Sequence, residues 1–365
     1  MDNELQYNIG LTLIPFVGDI TAKNLIAYCG SSEAVFKETK ENLLMIPGIG
    51  EITADAITRQ QVLDRALEEI KIIEKEGIKP IFYTDKDYPI RLKQCDDGPL
   101  MIYYRGSSPL SADRVIAIVG TRHATAYGKR MTAEIVEGLK ETGALIVSGL
   151  AFGIDICAHR SALDAGLNTI AVVAHGQDII YPAEHTNVAN RMLQSGGIVT
   201  EFLSNTPPNR ENFPKRNRII AGLSDATLVI ESKEKGGALI TADIAFSYSR
   251  EVIACPGKAD DIYSRGCNNL IQRNKAALVQ SAEDVINHLG WKEEKNKHNR
   301  QTELFQNLPP EEAAIVETLK ASGVPMYIDD LALKLNITPG NISAHLLSLE
   351  FSGILVSHPG KMYSL

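Results

Sequence analysis

Residues 212–220 read NFPKRNRII, a run in which cationic side chains surround the aromatic ring of Phe213. The cations of this run, with one arginine just upstream, are Arg210, Lys215, Arg216 and Arg218. Arginine makes bidentate contacts to phosphate, and an aromatic face can stack on an unpaired base. Because the chain continues as the apolar sequence IIAGL, we expect the cations at the start of a packed helix. The alternative is a solvated basic turn without a ligand.

Short apolar runs alternate with amphipathic segments on both sides of this stretch, over residues 76–290. The predicted strands are 81–83, 101–104, 115–119, 145–148, 169–174, 198–201, 227–231 and 251–254. The predicted helices are 128–142, 155–165, 184–194, 216–223 and 238–249. Nearly continuous apolar strands are typical of a sheet that is covered on both faces, and alternation with helices favours parallel pairing. The pattern therefore predicts an α/β domain with a mostly parallel, doubly wound sheet.

Residues 1–75 are predicted to be helical and contain two similar passages, LIPFVG from residue 13 and MIPGIG from residue 45. The second passage resembles a helix-hairpin-helix, so we expect a helix-hairpin-helix/SAM-like domain. A Gly-x-Gly turn exposes backbone N–H groups at a helix start, where a phosphate can bind. Phe16 replaces the first glycine in the first passage. A helical pair that uses these residues only for packing is the alternative.

The C-terminal part follows a polar stretch, residues 291–302, which is predicted to be a linker. Residues 303–365 contain a pattern typical of a winged helix. Its predicted parts are helices 310–322, 329–335 and 338–351, strands 354–356 and 361–364, and a turn at 358–360. The third helix contains no Arg or Lys, although phosphate neutralisation dominates affinity for DNA. We therefore expect this winged helix to contact protein.

Composition excludes a polycation, because the net charge is -8 and the isoelectric point is near 5.6. Any nucleic-acid contact must come from a local basic patch. The five cysteines form no CxxC pair, which predicts reduced, mostly buried thiols and no metal site. Neither a signal segment nor an apolar run of bilayer length occurs, so we expect a cytoplasmic protein with no membrane partner.

The residues just past the predicted strands form a second pattern. In an open parallel sheet, ligands bind beyond the carboxyl ends of the strands. At these positions the sequence has GTR at 120–122, GLAFGID at 149–155, KGG at 235–237 and PG at 256–257. Glycine allows a close approach of backbone to ligand, and N–H groups at helix starts favour an anion. Since GxGxxG and Walker A sequences are absent, and Arg122, Arg216 and Arg218 are expected nearby, the pattern predicts a site for backbone phosphate.

Four segments together resemble motifs of the DNA processing protein A (DprA/Smf) family. They are VGTR at 119–122, IVSGLAFGIDICAH at 146–159, FPKRNRIIAGLS at 213–224 and GCN at 266–268. The resemblance covers the whole central domain in the family's order and implies a Rossmann-like sheet. The N-terminal helical domain and the C-terminal winged helix fit the longer members.

The resemblance implies a DNA-binding mediator and not an enzyme, with no cofactor. Proteins of this family bind single-stranded DNA that is taken up in natural transformation, protect it, and help to load the RecA recombinase. They form homodimers through the Rossmann-like domain. The implied partners are therefore single-stranded DNA, RecA and a second copy of the chain.

By matching motif, the resemblance also implies roles for individual residues. Those that contact the strand are Gly120, Thr121 and Arg122. Those that form a phosphate-binding turn are Ser148, Gly149 and Gly153. Phe213 stacks against a base, Asn217 bonds a base edge or holds its neighbouring arginines, and positive potential comes from Arg210, Lys215, Arg216 and Arg218. The implied dimer contacts, which otherwise fit a core, are Leu270, Ile271 and Leu278.

Two other classes of protein stay open at this stage. Asp155 with Glu201 suits the acid/base pair of a nucleotide-hydrolysing Rossmann-like enzyme, although Asp155 more simply caps a helix and Glu201 pairs with an arginine. Histidines in the domain lack the short spacing of a zinc site, and we expect Cys157 in the core with His159 on a helix surface. A nucleotide-binding interaction protein is the other class. A closed pocket favours that class, whereas a groove that continues past the crevice favours DNA.

Overall fold

The structure is a computed structural model that describes residues 3–292, 308–323, 326–352, 354–358 and 362–365. The chain divides into two compact units, Met1–Lys292 and Glu293–Leu365. The first unit contains both the predicted N-terminal helical domain and the predicted sheet domain. Most of the predicted linker, residues 293–302, and residues 359–360 of the predicted turn lie outside the described residues.

One sheet runs through the first unit. Its strands are β1 (Lys79–Phe82), β2 (Met101–Gly106), β3 (Val115–Val119), β4 (Leu145–Ser148), β5 (Thr169–Val172), β6 (Gly196–Thr200), β7 (Ala226–Val229), β8 (Glu251–Ala254) and β9 (Ala277–Leu278). Their order is β1-β2-β6-β5-β4-β3-β7-β8-β9. Strand β1 pairs antiparallel with β2, and β2 pairs antiparallel with β6. All later neighbours in this order, from β6 through β3 to β9, pair parallel. In the centre, Ala117 of β3 lies opposite Val147 of β4 and Thr227 of β7. The predicted mostly parallel α/β sheet is confirmed.

Helices precede and cover this sheet. They are α1 (Asn3–Leu13), α2 (Asp19–Cys29), α3 (Ser32–Lys37), α4 (Lys40–Leu44), α5 (Glu51–Thr58), α6 (Leu63–Glu76), α7 (Ile90–Lys93), α8 (Ala126–Gly138), α9 (Ile154–Ala165), α10 (Thr186–Met192), α11 (Asn212–Leu223), α12 (Gly237–Ser247), α13 (Arg265–Gln272) and α14 (Ala282–His288). No helix in the described part of the chain is long and apolar enough to cross a membrane.

The central strand β3 is buried on both faces, which explains its uninterrupted apolar sequence. Ile116 and Ile118 pack in a cluster with α8 and α9. Val115, Ala117 and Val119 pack in a second cluster with α11 and α12. Helices therefore cover both faces of the sheet, as the alternation of strands and helices predicts.

Strands β3, β4 and β8 have the predicted bounds, whereas β5 and β7 each end two residues sooner. The chain leaves the sheet at these points to form loops at its carboxyl edge. Helix α11 begins at Asn212, four residues before the predicted start, with Pro214 in its first turn, where proline is tolerated. Strand β9 was not predicted because it has only two residues.

The N-terminal helices form two hairpin-like turns with the same backbone geometry. Gly48 has φ of 86°, and Phe16 at the matching position has φ of 65°. The first passage therefore keeps the turn although it lacks the glycine that adopts this conformation without strain. Asp19, which begins the helix after the first turn, accepts a hydrogen bond from the Leu100 N–H at 2.7 Å, so this hairpin is fixed to the sheet domain.

The second unit has its own core and a small sheet. Its elements are α15 (Pro310–Ser322), β10 (Met326–Tyr327), α16 (Ile328–Leu335), α17 (Pro339–Phe351), β11 (Val356–His358) and β12 (Met362–Ser364), with strand order β10-β12-β11. Leu319, Leu331 and Leu346 pack together between the three helices. The predicted winged helix is confirmed.

Candidate functional site

A cleft of about 730 Å³ opens at the carboxyl end of β3. This strand lies between β4 and β7, and the sheet continues through β5 and β6 on one side and through β8 and β9 on the other. The loops that follow these central strands diverge, and open α/β sheets bind ligands at such a switch point. Residues of these loops and of α11 and α12 line the cleft.

The loop after β4 packs tightly against the loop after β3. Gly153 has φ of 79°, and a Cβ atom there would lie 2.1 Å from the Thr121 carbonyl oxygen. That oxygen accepts a hydrogen bond from the Ile154 N–H at 3.2 Å, and the Thr121 N–H donates to the Glu231 carbonyl oxygen at 2.8 Å. Gly120 packs closely on the Ile154 side chain. These two glycines therefore serve the close approach of two loops, and the Thr121 N–H is used inside the protein.

The turn after β4 holds a carboxylate of the protein itself. Asp155 is buried, and its carboxylate accepts a hydrogen bond from the Ala151 N–H at 3.4 Å. Burial raises the pKa of Asp155, against the opposing effects of Arg216 and of the N–H groups of Ala151 and Gly149. Two backbone donors of the expected phosphate turn, those of Ala151 and Gly149, therefore face a carboxyl group of the protein itself.

Ser148 is also directed inward. Its hydroxyl donates to the Ile118 carbonyl oxygen at 2.6 Å, and the side chain is fully buried. Ser148 is therefore corrected to a buried residue that offers no hydroxyl to the cleft. Gly149 packs against the Arg216 guanidinium and Gly153 against the Thr121 carbonyl, and their part in a phosphate-binding turn stays a prediction.

Arg216 is only 4% exposed, and its guanidinium is bound from within the protein. Its Nη1 donates to the carbonyl oxygens of Gly149, at 2.7 Å, and of Val172, so that one side chain joins the ends of β4 and β5. Asn217 Oδ1 accepts from its Nε at 3.2 Å, which places this amide against its neighbouring arginine. Burial lowers the pKa of Arg216 to about 10, although Asp155 acts to raise it. Arg216 thus lines the cleft with its charge largely compensated.

Arg218 points away from the cleft. Its Nη2 contacts the carboxylates of Asp19, at 3.0 Å, and of Glu201, and its Nη1 donates to the Asp97 carbonyl oxygen. Burial acts to lower the pKa of Arg218, but the three acidic residues together raise it. The expectation that Arg218 faces the same crevice as Arg122 is corrected, since its side chain is 12% exposed and joins α11 to the first N-terminal hairpin.

Other predicted residues do lie at the cleft rim. Arg122 and Arg210 are exposed there. The guanidinium carbon of Arg122 lies 5.2 Å from the centre of the half-buried Phe213 ring, and that of Arg216 lies 5.8 Å from it. Arg122 makes no ion pair within the part of the chain that the structure describes. Lys215 is exposed but is not among the residues that line the cleft.

Two cleft residues, Lys233 and Tyr181, received no role from the sequence, whereas a third feature, Gly237, belongs to the expected KGG loop. Lys233, four residues past the observed strand β7, is exposed and lines the cleft. Tyr181 approaches Phe213, with 6.3 Å between ring centres. Gly237 begins α12, so the positive end of this helix dipole faces the cleft. Lys233 could have been identified as a cleft residue from the sequence, because it follows a predicted strand at the carboxyl edge of the sheet. Tyr181 lies in a long loop whose path the sequence does not indicate.

The predicted dimer residues differ in exposure. Leu270 is buried in the core of the first unit, and Ile271 packs partly against that core. Leu278 is about half exposed and lies on β9, the last strand in the order of the sheet. Leu270 is therefore corrected to a core residue, and Leu278 is the member of the set that is open to a partner.

The acid/base pair of the enzyme alternative is not assembled in this structure. Asp155 lines the cleft, whereas Glu201 contacts Arg218 and is not among the lining residues. Burial raises the pKa of Glu201 to about 7, against the opposing effect of Arg218. These two carboxyl groups therefore do not face one reacting group.

His159 and Cys157 exchange their expected places. His159 is fully buried, with Nδ1 2.7 Å from the Thr169 hydroxyl oxygen, and burial lowers its pKa to about 3. Cys157 is half-buried. The prediction of a core thiol and a surface imidazole is thus wrong. No cluster of three or more His, Cys, Asp or Glu side chains suited to a metal occurs among the described residues.

Fold and site together define a doubly wound α/β protein with an open, cation-rimmed cleft at its switch point and a separate winged helix. Residues 79–290 match the family of DNA recombination-mediator protein A. Residues 301–361 match the DprA winged helix domain, and residues 9–60 match the helix-hairpin-helix motif. The chain belongs to the DNA recombination-mediator protein A family, which confirms the DprA/Smf resemblance.

The chain is similar to other proteins both in sequence and in structure. The chain is 33% identical to a putative DNA processing protein DprA of Mycobacterium tuberculosis, over 86% of this chain and 84% of the relative. The crystal structure of DprA from Streptococcus pneumoniae is 30% identical with a TM-score of 0.66, covering 77% of this chain and 97% of that one. DprA from Helicobacter pylori, a structure described for its single-stranded DNA binding mode, is 29% identical with a TM-score of 0.53, covering 58% and 95%.

Proposed function

We propose that this chain binds single-stranded DNA in the switch-point cleft, with phosphates on the exposed cations of the rim and a base against Phe213. Membership of a DNA-processing family supports the proposal, as does similarity to the Helicobacter pylori protein described for single-stranded DNA binding. The geometry adds an open site that offers both a charge for phosphate and a ring for a base. Single-strand binding proteins commonly combine these two features.

The cleft is positive although the whole chain is acidic. Arg122, Arg210 and Lys233 line it and are exposed. Its buried acid, Asp155, has its pKa raised by burial, which favours the uncharged carboxyl, with Arg216 opposing that effect. The N-terminus of α12 adds a partial positive charge on the same side. An anion at the rim therefore meets uncompensated positive charge.

The observation that carries the proposal is that the cleft continues. A second hollow of about 450 Å³ shares Gly236, Gly237 and Ile240 with it. Arg273 and Lys235 line this hollow and are exposed, together with the acidic Glu234 and with Asp243, which pairs with Lys275. A groove that extends past one nucleotide with cations along it suits a polynucleotide better than a single nucleotide, which a closed pocket would favour.

Replacing Arg122 by alanine should weaken binding of an oligo-dT strand and lower its dependence on salt. Loss of one phosphate contact lowers the slope of log K against log salt by about 0.7 for a single strand, which corresponds to about fivefold in affinity at 0.1 M salt. Fluorescence anisotropy titrations at several salt concentrations measure both quantities.

Arg191→Ala is the matched control for this experiment. Arg191 is an exposed arginine at the end of α10, paired with Asp164 at 2.8 Å, and does not line the cleft. Its loss changes the net charge by the same amount as the loss of Arg122. Equal slopes for Arg122→Ala and Arg191→Ala would show that general charge, and not the cleft, governs binding.

The proposed cellular role is that of a mediator: the chain protects incoming single strands in natural transformation and loads the RecA recombinase on them, in the cytoplasm and without catalysis. Family membership supports this role. A homodimer through the β9 edge, with Leu278 and the half-buried Ile271 in contact, would place two clefts in one assembly. The exposed side chain of Leu278 supports that arrangement.

For the winged helix, contact with a protein is proposed in preference to DNA. Helix α17 contains no Arg or Lys, and its exposed residues include Leu347 and Phe351. Neutralisation of phosphate dominates DNA affinity. A helix without cations and with exposed apolar side chains therefore fits a protein surface better.

A further inference from the structure

Tyr181 is the more accessible of the two aromatic rings at the cleft. It is 43% exposed, whereas Phe213 is half-buried with guanidinium carbons at 5.2 Å and 5.8 Å from its centre. Within residues 3–292 the Tyr181 hydroxyl has no hydrogen-bond partner. A large aromatic ring that is open to solvent, and that lines a cation-rimmed cleft, has its face available to a ligand.

The loop that contains Tyr181 is anchored on the side that follows the tyrosine. His185, at the end of this loop, places Nδ1 2.7 Å from the Leu150 carbonyl oxygen in the loop after β4. The His185 N–H donates to the Pro182 carbonyl oxygen at 3.0 Å. The backbone next to Tyr181 is therefore held in place before a ligand arrives, which lowers the entropy cost of binding.

The spacing of the two rings defines what they can hold. The centres of Tyr181 and Phe213 are 6.3 Å apart, and the ring planes are inclined by 60°. Neighbouring phosphates of one strand in B-DNA are spaced by about 3.4 Å along the axis, with parallel stacked bases. Because the two rings are nearly twice as far apart and steeply inclined, they cannot each stack on one of two bases that remain stacked on each other. They suit two neighbouring bases that have been separated from each other.

We propose that Tyr181 is a second base-stacking residue, so that Tyr181 and Phe213 together hold two consecutive, unstacked bases of a single strand. This inference rests on the proposed function and deepens it. It defines the ligand as a strand of at least two nucleotides whose bases are unpaired. A duplex is disfavoured, because its bases are already paired and stacked on their neighbours.

A comparison of bases with no bases tests the role of Tyr181 directly. Tyr181→Ala should weaken binding of an oligo-dT strand by about fivefold or more, the lower end of what stacking on one aromatic side chain contributes. A second strand of equal length has abasic tetrahydrofuran units in place of every nucleotide. On this strand the affinities of Tyr181→Ala and of the parent should agree within about twofold, because the substitution leaves the phosphate contacts unchanged. Tyr181→Phe should retain oligo-dT affinity, since the ring is kept.

Tyr28→Ala is the matched control. Tyr28 is 60% exposed, lies on α2 and does not line the cleft. It should leave binding of oligo-dT unchanged. Equal losses for Tyr181→Ala and Tyr28→Ala, or an equal loss of Tyr181→Ala on the abasic strand, would overturn the proposal.

The same experiment separates this inference from the proposed function. If the parent binds oligo-dT and Arg122→Ala weakens it, while Tyr181→Ala binds as the parent does, only the stacking role of Tyr181 is refuted. If the parent binds no oligo-dT, both proposals fall. Tyr181→Trp gives a direct readout, because stacking on a base should quench its fluorescence above the background of the single native tryptophan, the buried Trp291.

Discussion

Replacing Arg216 by alanine should lower the free energy of unfolding by about 2–6 kcal/mol, because two buried carbonyl oxygens lose their donor and each such loss costs about 1–3 kcal/mol. The substitution leaves the Asp155 carboxylate buried without its nearby cation, and it leaves the carbonyl oxygens of Gly149 and Val172 without their donor. Urea unfolding followed by circular dichroism measures the loss. Binding of a single strand by Arg216→Ala should then be lost at a lower urea concentration than binding by the parent, because the floor of the cleft unfolds earlier.

A second substitution tests the cause of that loss. Asp155→Asn in the Arg216→Ala background removes the buried charge and should recover part of the stability. Arg191→Ala, which breaks only an exposed ion pair, should change stability by less than about 1 kcal/mol. If Arg216→Ala lowers the free energy of unfolding no more than Arg191→Ala does, the buried hydrogen bonds of Arg216 do not stabilise the fold and this description of Arg216 is wrong.

Replacing Arg218 by alanine should also cost about 3–5 kcal/mol, but it should leave the salt dependence of DNA binding at the parental value. Arg218 is buried between Asp19 and Glu201, away from the cleft, so its loss leaves two carboxylates facing each other. Urea unfolding and anisotropy titrations on the same variant separate the two effects.

Arg218→Lys is the control that keeps the protein folded, because it retains the charge between the two carboxylates. A lysine lacks the planar fork of arginine, so part of the stability loss should remain. The salt slope of Arg218→Lys should equal that of the parent. If Arg218→Ala lowers the slope by as much as Arg122→Ala does, Arg218 contacts phosphate and its assignment to the hairpin contact is wrong.

The cationic run at 212–220 illustrates how far the sequence leads. It correctly indicates a basic segment at the start of a packed helix, but it does not indicate where each side chain points. Residues two apart on an α-helix differ in direction by about 200°. Arg216 and Arg218 therefore face opposite ways, one toward the cleft floor and the other toward Asp19. Phe213 and Arg216, three apart, share a face.

The fold was easier to predict than the site, because strand β3 is apolar along its whole length, β4 and β8 are mostly apolar, and residues on both faces of these strands are buried. The site depends largely on contacts between distant segments. Arg216 bonds the Gly149 carbonyl oxygen, and Tyr181 reaches Phe213 from a loop between β5 and β6. Neither contact has a local sequence pattern, so motif spacing could not have shown it.

Photo-crosslinking is the most direct test that the cleft holds a single strand. An oligo-dT strand with one 5-iododeoxyuridine is irradiated with the full chain, and the adducts are located by tryptic mass spectrometry. We predict adducts at Phe213, in the peptide 211–215, and at Tyr181, in the peptide 161–191, with both reduced by unlabelled oligo-dT. Adducts confined to the N-terminal hairpins or to the winged helix would contradict the placement of the DNA in the cleft.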